Sequence, residues 1–444
     1  MVRGVPVVGH KIQPPDLVFV GLALAVGLRL LACRRVRRLG ALAGGVAALV
    51  AWDVAAAALN GIPRASLVTV AGSIYLGLVF VATAVVVADR SVLRRTVAVW
   101  IAVSSAVAAL GIGGVALGWF GINTPFARLA LEHPAFGRLW QLVGTLQSPP
   151  VPNFAFSYLH VGGLLALGWV LMAGREGSVL WPRIALGLHL VAILLTFSRG
   201  WVAFLIGAYV VLRGPGPWWI VAGRRGALAV GIAGFLGLQV LSYVNVESVQ
   251  VRWRYSDKVV EDPLRPGTPW FRAGRLVFLT PGTPFRSIDL SVLYVPDHKV
   301  FLREAAFRMI REYPLAGTGP GMFPATLMRY RDEGKLDPEY RLFSPRYPHS
   351  TYLGFAAERG IVGLGLLAVL GVGVVVRALR NLHAAGTGIE RGIAQGLLGI
   401  LAGYVVFAID ADVMQMRWLW VVMGLVAVGP VTTATGEAGD RHHA

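Results

Sequence analysis

Four short segments hold residue types that could do chemistry. The first is Leu195-Thr196-Phe197-Ser198-Arg199-Gly200, set between two apolar runs. A guanidinium next to hydrocarbon is costly and usually faces a partner or a polar cavity. Its planar fork also suits phosphate oxygens. The competing reading of Arg199 is a side chain that snorkels from a helix end. The second segment is Pro348-His349-Ser350-Thr351-Tyr352-Leu353-Gly354-Phe355, followed by Glu358-Arg359-Gly360-Ile361-Val362-Gly363. An imidazole at the start of a span can take a proton from a hydroxyl near neutral pH. The competing reading is an interfacial histidine followed by a Ser/Thr helix start. Glu358 follows at about 13 Å along a helix, too far to be simply the partner of His349.

The third segment, Tyr313 to Phe323, alternates Gly317, Gly319 and Gly321. Such a path can offer N–H groups to an anion, or it can be a plain turn. The fourth, Gly144 to Asn153, is rich in proline and reads as a loop before a span, with Asn153 as the helix N-cap.

The elements that must position these groups are membrane spans. The chain has 444 residues, of which 56% are hydrophobic and 14% charged. A soluble core of this length does not hide so much apolar surface. The fold expected is an all-α polytopic membrane protein of about 11–12 transmembrane helices with one large periplasmic loop domain. Spans are placed near 16–33, 39–59, 66–88, 97–118, 154–173, 180–197, 200–213, 226–244, 350–376, 391–409 and 417–430. The 180–213 region reads as two short helices meeting at a break. This divides the chain into N-terminal membrane helices (1–244), the loop domain (245–349), and C-terminal membrane helices with a short tail (350–444).

The net charge of +18 sits largely in short clusters such as Arg34 to Arg38 and Arg94-Arg95. The positive-inside rule explains these as cytoplasmic anchors, so nucleic acid is not expected as a partner. Alternation then places 119–153, the turn at Ser198 to Gly200 and the loop domain outside. Within that domain, Ile288 to Val295 alternates like a short strand. Lys299 to Tyr313 reads as an amphipathic helix that Pro314 ends, one able to lie on the membrane surface. Phe301, Leu302, Ala305, Ala306, Met309 and Ile310 form its apolar face. No cleavable signal peptide is expected. The single cysteine, Cys33, allows no internal disulfide. No Walker, Rossmann or zinc-ligand spacing is present, so no cofactor and no metal are expected.

In order and topology, these segments resemble the O-antigen ligase and polymerase superfamily. The resemblance covers roughly 140–365 and rests on Ser198-Arg199-Gly200, Pro314 to Phe323 and His349 to Gly363. It implies a metal-independent membrane glycosyltransferase of the bacterial inner membrane with a periplasmic active site. The implied donor is a glycan on undecaprenyl diphosphate, and the acceptor is lipid A-core or a growing glycan. Under that resemblance His349 is the base and Arg199 a diphosphate ligand. Relatives often carry an arginine at the start of the loop helix. Here Lys299 stands there, with Arg303 one turn later; lysine keeps the charge and loses the bidentate fork. Ser198, Tyr352, Glu358 and Asn153 take supporting places.

Two functions share these motifs: a ligase joining finished polysaccharide to lipid A-core in lipopolysaccharide synthesis, and a polymerase joining repeat units. A lipid or solute transporter is the alternative of another class. It is disfavoured because the two halves look dissimilar and the polar matter is concentrated in one loop.

Overall fold

The computed structural model describes residues 40–87, 90–133, 137–143, 152–173, 180–196, 198, 200–213, 276–278, 286–288, 297–336, 347–386 and 388–428, together with 226, 229 and 233. Among them are eleven helices: α1 (Gly40–Leu59), α2 (Arg64–Val86), α3 (Arg90–Trp119), α4 (Pro152–Ala173), α5 (Leu180–Leu195), α6 (Trp201–Val211), α7 (Asp297–Glu312), α8 (Phe323–Asp332), α9 (Thr351–Ala384), α10 (Ile389–Phe407) and α11 (Arg417–Val428). Six are long and apolar enough to cross a membrane, and α5, α6 and α11 are shorter apolar helices. The protein is thus an all-α polytopic membrane protein. The expected span near 16–33 and most of that near 226–244 fall outside the described residues.

Helix α10 is the hub. It packs on α4 and α6, while α4 also packs on α5, and α3 on α4 and α5. Glycine makes this close approach possible. A Cβ at Gly392 would strike the backbone of Gly168, and one at Gly399 the backbone of Gly207. Small residues are how membrane helices come close without a hydrophobic drive between them. Helices α1, α2, α9 and α11 form the other flank, with α1 against α2 and α9, and α2 against α11.

Between α3 and α4 the chain forms an antiparallel hairpin, β1 (Ala127–His133) with β2 (Gly137–Leu142), bulged between Leu129 and Leu131. It lies on the glycine face of α3. A Cβ at Gly118 would meet the ring of Trp140, and one at Gly111 the side chain of Leu142. A second short hairpin pairs β3 (Leu276–Phe278) with β4 (Arg286–Ile288). The strand expected over Ile288 to Val295 is met only at Ile288, and the rest of that stretch lies outside the described residues.

Helix α7 is amphipathic as expected, but its apolar face meets protein rather than a membrane surface. Leu302, Ala305, Ala306 and Met309 close on Phe323, Leu327 and Tyr330 of α8 and on Ala357 of α9. No helix is expected at α8 from the sequence; its Phe323, Leu327 and Tyr330 cover this part of the α7 face, while Phe307 stays exposed.

Candidate active site

The segment before α9 is fixed by its hydrogen bonds. Ser350 caps α9, its hydroxyl accepting from the N–H of Leu353 at 3.4 Å. Thr351 donates its hydroxyl to the Ala411 carbonyl at 2.8 Å and accepts from the N–H of Val413 at 2.9 Å. The Thr351 N–H also donates to the Ala408 carbonyl. His349 stands directly ahead of this anchor with φ +50°. A side chain with φ in this region is strained, and such strain persists only where surrounding contacts enforce it.

The end of α10 and the turn after it form a common platform. The Tyr352 hydroxyl donates to the Val405 carbonyl at 2.8 Å. From α7, Arg303 donates to the Ile409 carbonyl at 3.3 Å and to Asp410 at 3.0 Å. Thr351, Tyr352 and Arg303 therefore converge on 405–413, and His349 stands two residues ahead of Thr351 in the chain. No sequence argument had used this stretch. The available signal was Asp410 and Asp412 standing between two apolar spans. Asp412 accepts from the Met414 N–H and from the Gln415 amide. Burial raises its carboxyl above the ordinary value, against the opposing charge of Arg359. Burial, reinforced by Glu358 and Asp412, likewise pushes the Tyr347 hydroxyl up to about 12.

Arg303 and Asp410 are both largely shielded, with side chains 15% and 17% exposed. Removing either partner leaves a poorly solvated charge. We expect a double-mutant cycle of Arg303→Met and Asp410→Leu, read by thermal unfolding, to give a coupling of about 1–3 kcal/mol. Additive single effects would show that the pair contributes nothing.

On the other side of α10, Ser198 and Asn153 come together. The Ser198 hydroxyl donates to the Asn153 side-chain oxygen at 2.8 Å and accepts from the N–H of Gly200 at 3.2 Å. Asn153 thus lies in the first turn of α4, its oxygen serving Ser198, rather than acting as the expected N-cap. Gln141 of β2 donates to the Thr196 carbonyl at 2.6 Å, a positioning contact that sequence reasoning missed. Phe156 packs against Phe407 with ring centroids 5.0 Å apart, and the Tyr404 hydroxyl donates to the Ser157 carbonyl. The 198–200 turn and the His349 anchor therefore flank the same end of α10. Arg199 itself lies outside the described residues, as does the Lys299 side chain; Lys299 is in the first turn of α7.

Glu358 is remote from this chemistry in role. Its carboxylate accepts from the N–H of Phe323 at 3.0 Å and from Arg359 at 3.1 Å. It caps α8, where a helix N-terminus favours an anion. The glycine segment is accordingly a docking element. The N–H groups of Thr318 and Gly319 go to the carbonyls of Ala357 and Glu358, and Gly321 serves the Glu358 carboxylate.

No curated protein matches this chain. Residues 184–368 match the family model described as O-Antigen ligase. The matched span runs from α5 through the 198–200 turn, α7, the glycine segment and α8 to His349 and the first half of α9. That stretch, set among these membrane helices, is the part of the chain that is similar to the O-antigen ligase superfamily.

Proposed function

We propose that the protein transfers a glycan from an undecaprenyl-diphosphate carrier to an acceptor hydroxyl, most simply as a ligase acting on lipid A-core. The observation that carries this reading is His349, at positive φ and two residues before the Thr351 anchor on 408–413, inside the stretch that matches the O-antigen ligase model and at the same end of α10 as the 198–200 turn. In the reaction the acceptor oxygen bonds to the anomeric carbon while the bond from that carbon to the diphosphate oxygen breaks. The acceptor proton passes to the His349 imidazole, and the diphosphate leaves with its charge met by cations. Arg199 is the proposed diphosphate ligand, with Lys299 and Arg303 in reserve on α7. Arg303 already carries Asp410, so it offers at most part of its fork. The active end faces the periplasm, because the basic clusters flank the opposite helix ends.

The test is transfer by the purified full-length protein from a defined undecaprenyl-diphosphate glycan. Lipid A-core and a second copy of the glycan carrier are offered as separate acceptors. Product on lipid A-core supports the ligase. Product only on the second carrier makes the protein a polymerase, and a deletion strain would then attach single repeats. No product with either acceptor, from correctly inserted protein, removes the proposal.

A further inference from the structure

Helix α9 is two helices. At Gly360 the backbone turns to φ 66°, ψ −171°, so Thr351–Arg359 and the segment after it are joined through a break. Broken backbone at membrane depth must be satisfied by protein. Here the Pro314–Phe323 segment does this. The Pro314 carbonyl accepts from the N–H of Ile361 at 2.8 Å, and the carbonyls of Ala357 and Glu358 accept from Thr318 and Gly319, both at 2.9 Å.

Beside the break sits a buried charge cluster. Arg359 donates Nε to Asp53 Oδ1 at 2.6 Å and one Nη to Asp53 Oδ2 at 3.2 Å, a bidentate grip on α1. Its other Nη reaches Glu358 at 3.1 Å, and its guanidinium carbon lies over the Phe355 ring, 4.3 Å from the centroid. Ser73 of α2 donates to Asp53 at 2.6 Å, and the Trp52 indole donates to the Arg359 carbonyl at 2.9 Å. The exposures of Arg359 and Asp53 are 7% and 1%. Three charged groups so deep are expensive unless they do something geometric or chemical. Arg359 and Glu358 act on the 405–413 platform electrostatically, through Asp412. All of them fix the first segment of α9, which begins two residues after His349.

We propose that Arg359 is a positioning residue: by holding Asp53 of α1 and Glu358 at the head of α8 together, it locks the break at Gly360 and so sets where His349 stands. This rests on the reading of His349 as the base. A salt bridge that only held the fold together would change the amount of folded protein and leave the rate per folded molecule alone.

The experiment uses the full chain in nanodiscs with the undecaprenyl-diphosphate glycan at varied concentration. The paired replacement Asp53→Leu with Arg359→Met removes the bidentate pair at once, which a buried site tolerates better than losing one partner, and leaves Glu358 on the N–H groups of Gly321 and Phe323. The expected result is kcat per folded molecule lower by about 10- to 100-fold, with donor KM changed by less than about threefold, as for a misplaced catalytic group. Arg359→Lys keeps the charge without the fork and should recover part of that loss. Amide exchange over 347–353 should quicken in the paired variant while α5 and α6 stay as in the wild type. An unchanged kcat, or unchanged exchange over 347–353, overturns the proposal. If His349→Asn proves fully active, it is the functional reading that fails; exchange over 347–353 then decides the positioning claim alone.

Discussion

Replacing His349 by asparagine is expected to give a folded protein that no longer transfers glycan. Residue 349 has φ +50°, in the region where asparagine and glycine sit most easily and other side chains are strained. Asparagine therefore keeps the backbone path into the Ser350 cap and the Thr351 anchor, and it cannot take up the acceptor proton. Loss of a general base costs about 10²- to 10⁴-fold in rate. His349→Gly should lose as much activity while matching or exceeding wild-type stability, because it relieves the strained conformation. The checks are single-turnover transfer and thermal unfolding on the same preparations. An Asn variant with the wild-type rate ends the case for an imidazole base. Among the described residues Ile62 is the other non-glycine position with positive φ, and it stands at the α1–α2 turn with an aliphatic side chain. Strain by itself therefore does not single out His349; its ionisable side chain and its place in the matched domain are what motivate the test.

The second large effect is on folding. Gly360→Ala should lower stability by about 2–5 kcal/mol, combining the cost of positive φ for a side-chain-bearing residue with a steric clash. A Cβ at Gly360 would fall on the carbonyl of Leu315, and one at Gly317 (φ 69°) on the backbone joining Glu358 to Arg359. The two glycines face each other across one contact, so neither can relax without separating the glycine segment from the broken helix. Gly317→Ala should therefore be about as damaging as Gly360→Ala, and the double variant less than the sum of the two. By contrast Gly365 and Gly371, on the same helix, have open space at the Cβ position, and alanine there should be near neutral. Accumulation in membranes and unfolding of the purified variants read this directly. Equal stability of Gly360→Ala and Gly365→Ala would contradict the tight dock between the two segments.

Much of the framework was legible because membrane spans are written locally. In α2 and α3 a long apolar run is itself the physical reason for a helix in lipid; α2 runs Arg64–Val86 against the expected 66–88, while α3 begins at Arg90 rather than 97 because the helix continues through the basic residues ahead of the apolar run. The short pair α5 and α6, meeting at the 196–200 turn, was legible for the same reason. The face of α7 was legible from its periodicity, but its partner was not, since α8 has few apolar residues and is apolar only on the side that meets Leu302 and Met309. The role of Glu358 was not legible either. It depends on a helix terminus 35 residues earlier in the chain being brought against it.

The sequence by itself determined that this is a membrane protein of many helices, and that Ser198, His349 and the glycine segment mark a domain of the O-antigen ligase superfamily. Those properties reside in composition, in apolar run length and in short motifs, each of which is a property of neighbouring residues. Only the tertiary structure decided that 405–413 is the platform for Thr351, Tyr352 and Arg303, that Asp53 and Arg359 are partners, and that the glycines serve a broken helix. Each of these is a contact between groups far apart in the chain. Burial makes such polar contacts obligatory, since no water is at hand to replace them, yet nothing local in the sequence says which distant group will answer.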